Sequence, residues 1–295
     1  MRRSGRKRIF VIPVVVLALA AVPLLPANAS ATVPCDVSAL QTAVTNANVS
    51  GGTVRLASHC IYSVETAGGP GIAFQPIVAA VTIIGGRATV IRRDPTATTS
   101  FRIFGVNPGG VLTLSNLTLQ NGLTTGDGGG VQVFGGRLST RHVTFSSNGA
   151  RNGGGLEIES GAEAVIDRST FVGNSTSSVG GGAIMVRGTL RLARSSMLYN
   201  TAALEGGAIN VQPGGVAQVA TTRFEWNRAI AHGGAVENLG RATFKRSKIV
   251  FNVAGAGGGG IQSVGATALS LRRTVVRRNT PDNCVGPPAT KHCKP

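Results

Sequence analysis

The stretch that decides the fold is residues 153–174, GGGLEIESGAEAVIDRSTFVGN. Leu156 and Ile158 alternate with Glu157 and Glu159, which is the period of a strand with one buried face. Two more short apolar stretches follow after a Ser-Gly turn, so one repeat of about 26 residues holds three short strands. Such a repeat is too short for a propeller blade and lacks the helical half of a leucine-rich repeat.

The same pattern occurs six times in succession. Each copy begins with a glycine pair before a strand and ends at an apolar-x-x-Asn corner. The asparagines recur every 25 to 27 residues, at Asn148, Asn174, Asn200, Asn227, Asn252 and Asn279. This periodicity predicts an all-β fold, a single-stranded parallel β-helix with about nine coils.

Equivalent residues of successive coils should stack about 4.8 Å apart in columns along the axis. The residues three before each asparagine should form a buried ladder: Phe145, Phe171, Met197, Phe224, Ile249 and Val276. We expect the asparagines to adopt left-handed backbone and to bond to the neighbouring coil. The glycine pairs should form another corner, where a side chain would crowd the backbone.

The termini predict an exported protein. Residues 1–31 combine a basic start, an apolar run and small residues at Ala27–Ala29, as a signal peptide does; a membrane anchor is the alternative, but Pro13 and Pro23 interrupt the run. General secretion and twin-arginine export both stay open. No later stretch is long enough for a transmembrane helix, so we expect no stable membrane span after cleavage.

The rest divides into an N-terminal cap (32–50), the β-helix (51–283) and a C-terminal tail (284–295). The cap should be a short amphipathic helix over the first coil, because Val37, Leu40, Val44 and Ala47 have helical spacing. Four cysteines lie near the two ends, and in an exported chain we expect the local disulfides Cys35–Cys60 and Cys284–Cys293. No C-x-x-C spacing supports metal binding.

The chain is strongly basic. Five of its 29 basic residues lie in the predicted leader, which leaves 24 against 12 acidic residues and a net charge of about +12. A cationic exported protein attracts acidic polysaccharides and other surface polyanions. Nucleic acid is not an expected partner outside the cell. An arginine-biased composition is the alternative explanation of the charge.

The paired motifs carry a family resemblance. Gly206-Gly207-Ala208-Ile209 and Phe171-x-x-Asn174 resemble repeats of chlamydial-type polymorphic outer membrane proteins, which implies adhesion at a cell surface. The segment from Cys35 to GGTVRLASHCIYSV is similar to the start of exported CSLREA-like β-helix proteins, although the naming motif is absent. More broadly, the chain is similar to the pectate-lyase-like superfamily, which implies a single-stranded right-handed parallel β-helix. Members of that superfamily include lyases, hydrolases and adhesins, so the fold alone does not decide the activity.

A paired-carboxylate hydrolase site is not evident in the sequence. The acidic residues are dispersed, and Glu157 and Glu237 share a strand column but lie three coils apart. That column, Gln132, Glu157, Met185, Asn210, Glu237 and Gln262, is interpreted as a solvated strand face. Glu205 and His232 occupy equivalent positions of adjacent coils, about 5 Å apart, and are weak catalytic candidates or a corner salt bridge.

A basic column is the stronger candidate for function. Six residues before the asparagines stand His142, Arg168, Arg194, Thr221, Arg246 and Arg273. We interpret Arg168, Arg194, Arg246 and Arg273 as a binding track for an acidic glycan, against the alternative of a hydrated edge. The leading hypothesis is a secreted, non-enzymatic, adhesin-like binding protein without metal or cofactor. A polysaccharide lyase or glycoside hydrolase, and a structural protein with a protein partner, are the alternatives.

Overall fold

A computed structural model describes residues 31–286 and Cys293. The predicted signal peptide and most of the predicted C-terminal tail lie outside the described residues. The described chain is a parallel β-solenoid of about ten turns with one short helix, which confirms the predicted fold class. The predicted number of coils, about nine, is one too low, because the less regular repeats before residue 110 form complete turns as well.

Three parallel sheets build the solenoid. Sheet 1 contains the first strand of each repeat and begins at Phe104, sheet 2 contains the longer strands and also all strands of the first turns, and sheet 3 contains a short strand after each ladder asparagine from Asn148 to Asn252. Sheet 1 consists of Phe104–Val106, Val131–Val133, Leu156–Ile158, Ile184–Val186, Ile209–Val211, Val236–Asn238, Ile261–Gln262 and Cys284–Val285. Sheet 3 consists of Gly149–Ala150, Ser175–Thr176, Thr201–Ala202, Arg228–Ala229 and Val253–Ala254.

Sheet 2 is the largest and bends around a corner of the solenoid. Most turns contribute two strands to it, separated by a two-residue corner. Its strands are Thr32–Val33, Gly52–Leu56, Ile61–Val64, Ala80–Ile84, Val90–Arg93, Val111–Gln120, Arg137–Ser146, Glu163–Asp167, Thr170–Val172, Thr189–Ala193, Ser196–Leu198, Val216–Ala220, Arg223–Glu225, Arg241–Lys245, Lys248–Val250, Ala268–Arg272 and Val275–Arg277.

The interior contains the predicted apolar ladder. All six of its members are at most 2% exposed, and Phe145 stacks on Phe171 with ring centroids 4.3 Å apart. The register puts these residues opposite one another in consecutive strands, as in Phe171 with Met197. Apolar side chains that recur at one repeat position therefore build a continuous core along the axis.

The asparagines form a second internal ladder. Asn174 Nδ2 donates to Asn200 Oδ1 at 2.9 Å, and the same bond joins each ladder asparagine to the next. The predicted bond between coils is thus confirmed, but the predicted left-handed backbone is wrong for the asparagines themselves. The residue before each one carries the positive φ, as at Gly173 (64°) and Tyr199 (55°), and this turn directs the asparagine inward.

The glycine corner is confirmed. The first glycine of each pair has positive φ, as Gly206 does at 63°, and the second lies against the next coil. A Cβ on Gly207 would approach Gly234 O to 2.2 Å, so only glycine fits there.

The N-terminal cap is a helix from Val37 to Ser50. Asp36 caps it by accepting a hydrogen bond from Ala39 N at 2.7 Å, and Leu40, Val44 and Ala47 are buried as predicted. The short strand Thr32–Val33 precedes the helix and pairs with Gly52–Leu56, so the predicted cap segment also contributes to sheet 2.

Two disulfides join the predicted partners, Cys35 with Cys60 and Cys284 with Cys293. The first ties the segment before the cap helix to the first full turn. Strand Cys284–Val285 pairs with Ile261–Gln262, so sheet 1 continues two residues past the predicted end of the β-helix. Within the described range, no helix has the length and hydropathy to cross a membrane.

Candidate functional site

The basic column lies on a solenoid corner whose backbone is left-handed. We call this column the arginine corner; its φ values are 54° at His142, 45° at Arg168, 50° at Arg194, 50° at Thr221, 49° at Arg246 and 51° at Arg273. Left-handed backbone costs a residue with a Cβ about 1–2 kcal/mol, and glycine and asparagine tolerate it best. Asn116 occupies the equivalent position one turn before His142. The fold therefore requires the corner but does not favour arginine in it.

Most of these arginines have no acidic partner. Arg194 forms an ion pair with Asp167, with Nη2 and Oδ1 2.5 Å apart, and this contact lowers the pKa of Asp167 below its ordinary value. Within the described part of the chain, Arg168, Arg246 and Arg273 have no side-chain ion pair or hydrogen bond. Like charges that stack at strand spacing repel one another, so an anion that lies across them is stabilised.

Open depressions border the arginine corner. One, of about 420 Å³, lies on the outer face of sheet 2 and is lined by Val165, Asp167, Arg191, Arg194, Gln218 and Lys245 among other, mostly apolar, residues. A second, of about 410 Å³, lies across the corner between Arg194, Arg223, Arg246 and Lys248. A third, of about 250 Å³, is lined by Lys245, Arg246, Arg272 and Arg273. Cations dominate the third and form half of the lining of the second, so the corner itself suits an extended anion.

The predicted solvated column of sheet 1 is buried, which is a correction. Its six residues are at most 9% exposed, because the loop before each strand folds back over the strand's outer face. The overlap is close: a Cβ on Gly153 would lie 2.8 Å from Glu157 Oε2. Carboxylates of sheet 1 are therefore enclosed beneath loops rather than presented to a substrate.

Three carboxylates gather under these loops, where the sequence suggested only dispersed ones. Asp127, Glu157 and Glu159 bring oxygens within 4.8 Å of one another. The sequence pattern predicts that Glu157 and Glu159 lie close together, because they are two residues apart along one strand. Asp127 comes from the covering loop, and the repeat pattern does not predict the path of that loop. Oxygen ligands of this kind suit calcium.

Arginines already supply the positive charge in this cluster. Arg187 contacts Glu157 and Glu159, and Arg151 forms a two-bond contact with Asp127 at 3.0 Å. Burial is the largest single effect and raises the pKa of Asp127, but the hydrogen bonds from Arg151 and Asn152 and the charges of Arg151 and Arg187 together bring the pKa below its ordinary value. Glu157 is fully buried. The arrangement is a partly exposed salt-bridge network in which arginines contact all three carboxylates, with Asp127 and Glu157 buried and Glu159 partly exposed.

Glu205 and His232 are adjacent, as predicted, but do not pair. Their backbones form a β-bridge, yet no ion pair joins their side chains in the described structure. Glu205 Oε2 instead accepts a bond from Asn210 Nδ2 at 3.5 Å. Burial, and next the charge of Glu205, raises the pKa of nearby Glu237 to about 8. The expected corner salt bridge is therefore wrong, and no motif in the sequence indicated the raised pKa of Glu237.

Comparison with known proteins leaves the family open. No protein family matches the chain, and no solved structure matches it. Over 176 residues the chain is 28% identical to metabotropic glutamate receptor-like protein R of Dictyostelium discoideum. The match covers 58% of this chain and 11% of that protein. A similarity of this extent does not define a family.

Proposed function

We propose that the protein is an extracellular, non-enzymatic binding protein that holds acidic polysaccharides along its arginine corner. The observation that carries the proposal is the repeated choice of arginine at left-handed positions. Arginine at such positions costs stability and, except at Arg194, gains no acidic partner in the described structure. A function outside the fold accounts for that choice.

The surface chemistry supports a polyanion with closely spaced acids. Guanidinium groups bind carboxylates and sulfates through paired hydrogen bonds, and successive corner positions recur at strand spacing, about 4.8 Å. Thr221 interrupts the column, but Arg223 and Lys248 lie in the depression beside it. The excess of positive charge strengthens the attraction at long range and makes it salt-dependent.

An extracellular location fits the two disulfides and the leader sequence. The glycine and asparagine motifs support a relation to surface-exposed β-helix proteins of the polymorphic or CSLREA-like kind. The alternative, a polysaccharide lyase or hydrolase, has less support, because all three clustered carboxylates contact arginines and two of them, Asp127 and Glu157, are buried.

The test is size-exclusion chromatography of the protein without its leader, mixed with polygalacturonate or heparin, with and without calcium. We expect intact polysaccharide to elute with the protein and to separate from it in high salt. Shortened polysaccharide would instead establish an enzyme.

A matched pair of variants locates the binding. One variant changes Arg168, Arg194 and Arg246 to Asn, which suits the left-handed backbone as Asn116 does. The control changes Arg55, Arg87 and Arg241 to Ser and removes the same charge from exposed positions elsewhere. We expect the first variant to lose at least tenfold in affinity and the control to lose much less. Equal losses would show that net charge, and not the corner, binds the polymer.

A further inference from the structure

A second left-handed corner carries a row of exposed aromatic side chains. It is formed by the residues that precede the ladder asparagines. Three successive members are Tyr199, Trp226 and Phe251, with φ of 55°, 59° and 58°. A bulky residue with such a φ is uncommon. The equivalent position one turn earlier is occupied by Gly173, which adopts this conformation without strain. Tyr199 is 59% exposed and Trp226 is 50% exposed, so burial does not offset this cost.

The rings are arranged so that part of their faces stays open. Trp226 and Phe251 stack with centroids 4.8 Å apart and planes 10° apart. Stacked carbon atoms touch at about 3.5 Å, so the two rings are offset sideways by about 3 Å. The Arg278 guanidinium covers Phe251 from its far side, 5.7 Å from the ring centroid. In the described structure no ring packs on the opposite side of Trp226, which is the open end of the stack.

More apolar surface continues from these rings onto sheet 3. Two residues after the aromatic positions, Arg228 and Val253 point outward, and Ile230 lies beyond them at 59% exposed. Arg228 is exposed and has no acidic partner among the described residues. We call Tyr199, Trp226, Phe251, Val253 and Ile230 the aromatic shelf. It is a mostly apolar surface flanked by Arg228 and Arg278, neither of which forms an ion pair with an acidic residue in the described part of the chain.

We propose that the aromatic shelf binds the sugar rings of the acidic polysaccharide that the arginine corner attracts. The inference rests on the proposed function and deepens it, because it assigns a site to the sugar as well as to the charge. A pyranose ring has an apolar, hydrogen-lined face that packs on an aromatic ring, while its acidic groups lie within reach of Arg228 and Arg278.

The position of the shelf fits the same ligand. Trp226 lies five residues after Thr221, which belongs to the arginine corner. At the rise of a strand, the distance between these two residues is at most about 16 Å. An oligosaccharide spans that distance. Arg223 and Lys248 lie between the two surfaces, and both form ion pairs with Glu225 there. Polyphosphate has no apolar face to place on the shelf. Single-stranded nucleic acid can stack its bases on the same open face of Trp226, so the titration includes single-stranded DNA as a competitor class.

Trp226 reports on the shelf directly, because it is the one tryptophan of the sequence. The experiment is a fluorescence titration with polygalacturonate, heparin, neutral dextran, polyphosphate and single-stranded DNA. We expect the acidic polysaccharides to shift Trp226 emission to shorter wavelength as sugar displaces water from the ring. Polyphosphate should bind in a salt-sensitive manner and leave the emission unchanged.

Two variants complete the test. Trp226→Asn removes the ring and retains a residue that accepts the left-handed backbone, and Val78→Ala trims an exposed apolar side chain, 54% exposed, near the N-terminal turns. Circular dichroism checks that both fold. By calorimetry we expect Trp226→Asn to weaken binding of acidic polysaccharide about tenfold, or about 1.4 kcal/mol, and Val78→Ala to leave it unchanged.

The outcomes separate the shelf from the arginine corner. Polysaccharide that binds without an emission change, and with full affinity to Trp226→Asn, would overturn the shelf and leave the corner intact. Neutral dextran that shifts the emission while charge-removing variants have no effect would support the shelf and overturn the corner. Single-stranded DNA that acts at lower concentration than every polysaccharide, or no polysaccharide binding at all, would overturn the sugar assignment.

Discussion

Individual residues of this protein occupy backbone that suits other residue types better. Arg194 and Trp226 both have left-handed φ, near 50° and 59°, on two different corners. Backbone strain of this kind clusters at functional sites in proteins, and it is the reason for the proposals made for these two corners. The neighbouring turns with Asn116 or Gly173 show that the solenoid forms without these side chains.

A buried carboxyl group supplies a test at the same scale. Glu237 is 2% exposed and has a pKa of about 8, raised by burial and next by Glu205. In the unfolded chain it loses its proton near 4.5, so folding takes up a proton between these values. The stability that this group contributes is complete below about pH 4.5 and is lost as the pH rises through about 8. Between pH 5 and pH 9, the free energy of unfolding of Glu237→Gln should therefore increase relative to that of the wild type by up to a few kcal/mol.

Urea unfolding across that pH range measures the difference. Glu65→Gln is the control, since Glu65 is exposed and its replacement should give a curve parallel to the wild type. Parallel curves for Glu237→Gln as well would show that Glu237 is ionised in the folded protein.

Sequence reasoning succeeded for the residues whose neighbours repeat. Phe171 and Asn174 recur at one position of every turn, so their stacking follows from periodicity alone. Glu157 was misplaced as solvent-exposed, because the loop that covers it varies in length and residue type between turns. The left-handed residue was assigned to Asn174 instead of Gly173, since an apolar-x-x-Asn motif does not tell which residue turns the chain.

At the scale of the turn, the glycine corner determines how closely coils approach. Gly207 lies with ordinary φ against Gly234 O and Arg228 O, at 2.2 and 2.5 Å from a hypothetical Cβ. Gly214 has a φ of 84° and nothing within 4 Å of such a Cβ. Gly207 is required by the contact between coils, whereas Gly214 is required by its backbone conformation alone.

We therefore expect a glycine-to-alanine substitution to lower the free energy of unfolding by different amounts at these two positions. Gly207→Ala should lower the free energy of unfolding by about 3 kcal/mol or more, because two coils must move apart. Gly214→Ala should cost about 1–2 kcal/mol, from strain only. Thermal unfolding followed by circular dichroism compares the two variants. A Gly214→Ala variant as unstable as Gly207→Ala would contradict this view of the corner.

Over the whole molecule, each turn contacts mainly the turns beside it, so damage should stay local. The Cys35–Cys60 bond closes a separation of 25 residues and joins the cap helix to the first full turn. Changing both cysteines to Ser should destabilise this end by about 3 kcal/mol. Hydrogen exchange should quicken in residues 37–64 and stay unchanged from 156 to 254. Faster exchange throughout would show that the solenoid unfolds as one unit.

The asparagine ladder gives the solenoid a direction. Every side-chain amide from Asn148 to Asn252 donates to the following turn, and Asn279 donates to Asn283, only four residues later. The amide dipoles therefore add head to tail, and each bond polarises the next. Asn283 closes this row from within the last turn. Whole repeats inserted before Asn283 would therefore leave no ladder amide without a partner. The solenoid can change its length in steps of one repeat.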